Sequence, residues 1–354
     1  MLARHLGSAR SGRLRTVVIL GAVAVAFAGV AMVAGAEDRP VRDVPSGAGQ
    51  PSSPETFYRA FDSGSWWNTP LPNDAPLDPA GAEILEYLNT GAQSREGCLV
   101  LAGAGESHWG QPMYWTRPSD PVYDVTGVEH DRPPELATMR IPTDAQPADN
   151  SDGTMSVYDL HEGYVVALTG AEYDEDDDSW TARGATVTYL DSNGLHVATG
   201  LSDNRGNRGT HRGNNGATMA VSWEEVREGA VRHVLKVASG PEVANRHVFP
   251  MVGSDGDYEG KDPRVPPQGL RMRIKPSVDL QEFGLTPDAL VIARALQRYG
   301  FYIGDSGGRT SLKLENTAAE GRGQLWTLKD DALCKLPFTT DYWDVVAEGY
   351  DPSR

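Results

Sequence analysis

Positive charge is scarce in this chain. Its 354 residues include 32 Lys and Arg against 49 Asp and Glu, a formal net charge of −17. A surface of that sign repels nucleic acid and anionic membranes, so neither is expected as a partner. Cysteine is scarcer still: only Cys98 and Cys334 are present, too few for a thiolate metal cluster. Two readings stand for them, two buried free thiols or one disulfide joining the start of the domain to its end. Helical periodicity is also rare, whereas Gly (39) and Pro (24) are plentiful. That balance excludes a helical bundle and favours a turn-rich β protein.

The N-terminus reads as a targeting segment. Arg4, Arg10, Arg13 and Arg15 precede an uncharged run from Val17 to Val33, and Ala34-Gly35-Ala36 fits a small-x-small cleavage site. There is no twin-arginine pair and no lipid-accepting Cys. Residues 1–36 are therefore expected to be a signal peptide, with an uncleaved anchor as the alternative. Cleavage would remove four Arg and no acid, moving the formal charge from −17 to −21. Either way the protein is expected outside the cell, off the membrane once cleaved, and monomeric. Residues 37–55, rich in Pro, Gly and Ser, read as a flexible linker, and 56–354 as one domain.

Short alternating segments dominate that domain. Met155–Leu160 and Tyr164–Thr169 read as a hairpin, Trp180–Leu190 as a strand turning at Asp191-Ser192-Asn193-Gly194 into a return strand, Leu195–Thr199. Ala230–Ser239, Leu270–Ser277 and Thr310–Leu314 read as further strands. A long Gly, Asn and Arg loop, Leu201–Gly216, lacks the spacing of a phosphate loop. Helices are few: one opened by Asp78 and Pro79, a turn begun by the capping box at Ser222 and Glu225, and one near Gln324–Leu333. The longest is TPDALVIARALQRYG, about residues 286–299, with Ala289, Ile292, Ala293 and Leu296 on one face. The expected fold is mainly β: an antiparallel β-sandwich or jelly roll with that helix packed on it and short peripheral helices.

The helix leads into Gly304-Asp305-Ser306-Gly307-Gly308, which matches the nucleophile motif of chymotrypsin-like proteases. No histidine here stands in the matching Ala-Ala-His-Cys context, so a turn is expected instead and a serine protease is disfavoured. His233, on the apolar face of its strand, reads as a core histidine or a general base, and Glu225 as a capping or catalytic acid. His211, in the Gly-rich loop, could close over the cleft at which His233 would act; Arg271, Arg273 and Lys275 alternate along one strand, where they could line a groove for uronate or sulfate groups. Trp109 and Trp115 could stack on sugar rings. A hydrolase would draw its carboxylate pair from Asp152, Asp159, Glu225, Asp279 and Asp305; a lyase would use cations with a His or Tyr base. No cofactor is required, although the acidic runs at 174–178 and 255–262 offer oxygen ligands suited to calcium.

SDGTMSVYD, EEVREGAVRHVLKVAS, PQGLRMRIKPSVDL and ALVIARALQRYGFYIGDSGG together resemble a group of secreted bacterial β-sandwich proteins. The similarity spans about Asn68 to Gly308. It implies a jelly-roll or concanavalin-like fold rather than an activity. It places Asp152, His233, Lys275, Tyr299 and Asp305 at the group's recurrent polar positions, and makes Ser306 an incidental neighbour of Asp305. The Arg/Gly loop before Gly216 and the Cys334 segment depart from the pattern. The function expected on these grounds is a secreted carbohydrate-active protein, a glycoside hydrolase or polysaccharide lyase acting on polysaccharide. A non-catalytic carbohydrate-binding or cell-envelope protein is the alternative.

Overall fold

The computed structural model describes residues 59–91, 97–209, 212–213 and 215–354. The expected signal peptide, the linker and His211 lie outside them. The fold is mainly β. Eleven strands build its two principal sheets. They are β1 (Val100–Ala102), β2 (Met113–Trp115), β3 (Met155–Asp159), β4 (Tyr164–Thr169), β5 (Gly184–Tyr189), β6 (Arg208–Gly209), β7 (Leu235–Ser239), β8 (Arg271–Ile274), β9 (Phe301–Ser306), β10 (Ser311–Lys313) and β11 (Trp343–Val345). The helices are α1 (Gly81–Thr90), α2 (Trp223–Arg227) and α3 (Pro287–Arg298).

The six-stranded sheet runs β1-β10-β7-β9-β8-β11 and the five-stranded sheet β6-β5-β4-β3-β2. Neither is purely antiparallel. β1 pairs in parallel with β10, β7 with β9, and β2 with β3. Both sheets are open, and of the expected sandwich only the mainly β class is shown. Parallel pairing joins strands distant in sequence, which alternation along one strand cannot reveal. The expected return strand after Gly194 is a short 3-10 turn at Val197–Thr199. The antiparallel partner of β5 on that side is β6, from the Gly/Arg loop. The segment expected as a last helix, 324–333, is a run of coil and turns.

Alternation sorts side chains between layers. Leu235, Val237, Met272, Ile274, Phe301, Ile303 and Leu312 enter one core with Ile292, Ala293 and Leu296 of α3. Burying a large aliphatic side chain contributes about 1.5–3 kcal/mol, so this layer dominates the stability of the sheet. α3 forms as expected: Thr286 Oγ1 accepts from the Ala289 N–H, and Pro287 occupies the first turn. The opposite face of the six-stranded sheet carries the polar residues of the same strands. It is covered by an aromatic cluster of Trp66, Trp67, Met113, Tyr158, Val165 and Tyr302, which draws on both sheets.

That cover explains what becomes of the basic stripe on β8. Arg271 and Arg273 are both buried. Arg271 donates to the Tyr299 carbonyl at 2.8 and 2.6 Å and stacks over Trp66 at 4.6 Å. Arg273 donates to the Pro72 and Asn73 carbonyls at 2.6 and 2.9 Å and pairs with Asp344 at 3.3 Å. Their charges hold the N-terminal segment against the sheet instead of facing a solvent groove. Lys275, half-buried just beyond β8, donates to the Thr340 carbonyl. Among the described residues no helix is long and apolar enough to cross a membrane.

Cys98 and Cys334 form a disulfide with Cα atoms 5.0 Å apart, which resolves the open pairing and is consistent with an oxidising compartment. It fastens the start of β1, an edge strand whose one sheet partner is β10, to the C-terminal region.

Candidate functional site

A cleft of about 440 Å³ opens where β7 and β9 end beside β1 and β10. Its walls include Trp109, Asp152, Asp305, Ser306, Arg309 and Lys313. Asp305 reaches it through a β-bulge. Val237 faces Ile303, but the next residue, Ala238, faces Asp305, so Gly304 is the extra residue. Strict alternation from Phe301 and Ile303 would send Asp305 into the apolar core. The bulge turns it onto the polar face with Tyr302 instead. Glycine is required there: a Cβ at position 304 would lie 2.7 Å from the Tyr302 ring and 3.0 Å from Lys236 Cγ. The first three residues of the GDSGG motif therefore belong to a bulged strand end rather than the expected turn. No histidine is among the described residues lining the cleft.

Around Asp305 the strands assemble a charged cluster. Lys236 of β7, buried along its length, places Nζ 3.1 Å from Asp305 Oδ2. Lys313 of β10 donates to the Trp109 carbonyl at 3.1 Å. Burial pushes the Lys313 amine below its ordinary value; Lys236 adds to this, while Asp305 and Asp152 oppose it. The Tyr302 hydroxyl is buried and has no hydrogen-bond partner among the described residues. Burial, and after it the charge of Asp305, raises its pKa well above the ordinary value. Trp109 is 46% exposed at the rim, unusual for so large an apolar side chain.

The sequence candidates thus divide. Asp152, Asp305 and Trp109 converge on the cleft. Tyr299 does not: it caps the end of α3 with its side chain buried, and its carbonyl serves Arg271. His233 lies near the other end of the β7 segment, roughly 15 Å away along the strand from the position paired with Asp305. There its Nε2 meets Glu225 Oε1 at 3.2 Å and its Nδ1 meets the Val234 carbonyl at 2.8 Å. Trp115 borders the same small void, about 20 Å³, and stacks on Tyr158 with centroids 4.0 Å apart. Glu225 completes the capping box of α2. Asp159 closes a turn by accepting from the His161 and Glu162 N–H groups, and Asp279 caps a 3-10 turn. Lys236, Lys313 and Tyr302 were not singled out by sequence. Their one signal was polar residues at alternate positions of otherwise apolar strands, which reads equally well as a solvated face.

The acidic runs have separate uses. Asp174 accepts from the Asp176 and Asp177 N–H groups in a hairpin turn. In the second run Asp255 meets Gln268, Glu259 meets Asn245 at 2.8 Å, and Asp262 meets Arg264. Among the described residues no group of three or more His, Cys, Asp or Glu is placed to hold a metal ion.

The His233–Glu225 pair carries a pH signature. Burial alone would lower the His233 pKa, but the Glu225 charge and hydrogen bond, with the Val234 carbonyl, leave it raised above 6.5. A raised folded-state pKa contributes stability that is fully present below the unfolded value and is lost as pH rises through the folded value. The melting temperature is therefore expected to fall as pH rises above about 6.5, and Glu225→Gln to flatten that slope. Scanning calorimetry across that range checks it; a wild-type slope unchanged in the variant would refute it.

Comparison of the chain with protein-family models, with curated proteins and with solved structures returns no match.

Proposed function

We propose that this is a secreted carbohydrate-active enzyme, a glycoside hydrolase whose substrate lies in the Asp152–Asp305 cleft. The convergence of two carboxylates and an exposed tryptophan on one cleft carries the reading. Clefts of this size suit small ligands or a short stretch of a chain. Trp109 supplies a flat apolar face for a sugar ring. Asp305 supplies the proton to the departing glycosidic oxygen as the bond from C1 to that oxygen breaks. Asp152 takes a proton from the water whose oxygen bonds to C1.

Charge favours hydrolysis of a neutral glycan over elimination on a uronate. A lyase needs cations to neutralise the substrate carboxylate. Here Lys236 already faces Asp305, Lys313 lies within the influence of both Asp152 and Asp305, and Arg309 meets Asp330 at 3.0 Å. The arginines of β8 are buried and bonded to the protein itself. A net charge of −17 also repels a polyanion.

The test is a panel of neutral and acidic polysaccharides, read by reducing ends, by absorbance of unsaturated uronates, and by affinity gels. Reducing ends from a neutral glycan are expected. Trp109→Ala is expected to weaken retention in the gel about 3- to 10-fold, the size of one stacking contact. Unsaturated products would make the protein a lyase. Retention without cleavage would make it a binding module.

A further inference from the structure

We propose that Asn150 is a positioning residue. It ties the loop that carries Trp109 to the turn that carries Asp152, and so sets where a sugar stacked on the indole lies relative to that carboxylate. The tie stands on geometry alone; its catalytic consequence rests on the hydrolase reading. Residues 103–110 leave β1 and return toward β2 as a closed loop. Its two ends touch: a Cβ at Gly110 would lie 2.9 Å from Gly103 Cα. The Gln111 N–H donates to the Leu314 carbonyl at 2.8 Å and the Leu314 N–H to the Ala102 carbonyl at 2.9 Å, which fastens that base to the chain just after β10. The tip is held by side chains from two other elements. Lys313 Nζ donates to the Trp109 carbonyl at 3.1 Å, and Asn150 Nδ2 to the His108 carbonyl at 2.7 Å. The peptide groups on both sides of Trp109 are thus hydrogen-bonded, while the residue stays 46% exposed.

Asn150 uses both ends of its amide, and the two ends are not interchangeable: Nδ2 only donates and Oδ1 only accepts. Oδ1 accepts from the Asp152 N–H at 3.0 Å and the Gly153 N–H at 3.2 Å, closing an Asx turn. Nδ2 is left to reach the His108 carbonyl. Sheet topology brings the two segments together. β2 and β3 pair in parallel, with Met113 opposite Ser156, so the loop entering β2 and the turn entering β3 lie at the same end of the pair. Gln111 Nε2 donates to Ser156 Oγ at 2.9 Å just inside that end. One small planar group therefore spans from the residue before the platform to the backbone of the carboxylate residue, and Trp109 and Asp152 both wall the cleft. A sugar that stacks on Trp109 takes its place from the indole, and Asp152 must reach the water that attacks C1 within hydrogen-bond distance. A displacement of about 1 Å costs up to about 100-fold in rate.

The experiment labels the protein with fluorotryptophan, identifies the Trp109 line by its loss in Trp109→Phe, and compares wild type, Asn150→Ser and Asn150→Asp by fluorine NMR. Ser and Asp each keep an oxygen for the turn. Neither donates across to His108: the Asp carboxylate has no proton to give, and the Ser hydroxyl is too short. Both variants are expected to shift or broaden the Trp109 line and to leave the lines of the buried Trp66 and Trp67 in place. An unmoved Trp109 line in both refutes the tie. On a cleaved glycan both are expected to lower kcat about 10- to 100-fold, with affinity-gel retention nearly unchanged, the opposite of Trp109→Ala. Wild-type kcat in Asn150→Asp would show that the turn alone matters and overturn the positioning claim. Retention that falls as far as kcat would overturn it too, because Asn150 would then serve the platform and not its placement against Asp152. Should Asn150→Ser fail to fold, the Asn150→Asp arm still decides. A moved Trp109 line in a protein that cleaves no glycan would leave the tie standing and sink the hydrolase reading instead.

Discussion

Asp305→Asn is expected to lower turnover on the cleaved glycan by about 10²–10⁴-fold while leaving binding nearly unchanged, since general acid catalysis is worth about that much. Asn cannot deliver a proton but keeps the shape and a carbonyl oxygen. Trp109 and the rest of the cleft lining are untouched, so affinity-gel retention should persist. The substitution also leaves the buried Lys236 ammonium without its carboxylate at 3.1 Å. Breaking one side of a fully buried pair costs about 3–5 kcal/mol. Asp305 keeps 26% of its side chain exposed, however, so water screens the loss and the cost is lower. The double variant Lys236→Met, Asp305→Asn separates the two effects, because it removes the charge along with its partner. It should recover much of the melting temperature and none of the turnover. A single variant with wild-type turnover, or a double variant that regains it, would take the acid role away from Asp305.

Opening the Cys98–Cys334 bridge should produce a large loss of stability. The cysteines are separated by 236 residues, so the crosslink removes much of the freedom of the unfolded chain. The loop-entropy account puts that at about 5.5 kcal/mol, and removal of native disulfides commonly costs about 2–5 kcal/mol. For a domain of this size the melting temperature should fall on the order of 10 °C in Cys98→Ser/Cys334→Ser. The effect should be local as well as global. Cys98 stands next to β1, a three-residue strand at the edge of the six-stranded sheet. Val100 and Ala102 of that strand wall the cleft. Hydrogen exchange should rise first at β1 and around Trp109. Equal protection there in oxidised and reduced protein would show that the bridge serves the unfolded state alone.

Much of the fold was readable residue by residue. The capping box at Ser222 and Glu225, the 155–169 hairpin and the helix after Thr286 form as their local chemistry requires. These features depend on residues a few positions apart, and a sequence displays such neighbours directly. The return strand expected after Gly194 failed for the opposite reason. A turn fixes where the chain reverses, but the partner of β5 is taken from the Gly/Arg loop further on. The site was legible only in part. Asp152 and Asp305 were among the candidate carboxylates and Trp109 among the candidate stacking aromatics, and the fold brings the three together.

The sequence by itself determined which residues alternate and where helices begin and end, because period and capping are local properties of the chain. It also supplied the cysteine pair and the acidic balance. What alternation could not say is what covers the polar face of a strand. The same pattern that reads as a groove-lining stripe of Arg271, Arg273 and Lys275 is, for the two arginines, buried, Arg271 against Trp66 and Arg273 against the Pro72 and Asn73 carbonyls. Tertiary structure decided that, by laying the segment around Trp66 and Trp67 across the sheet. It also decided the cleft, because a single extra residue in the register, Gly304, reverses the face of Asp305, and a bulge exists only relative to the strand beside it.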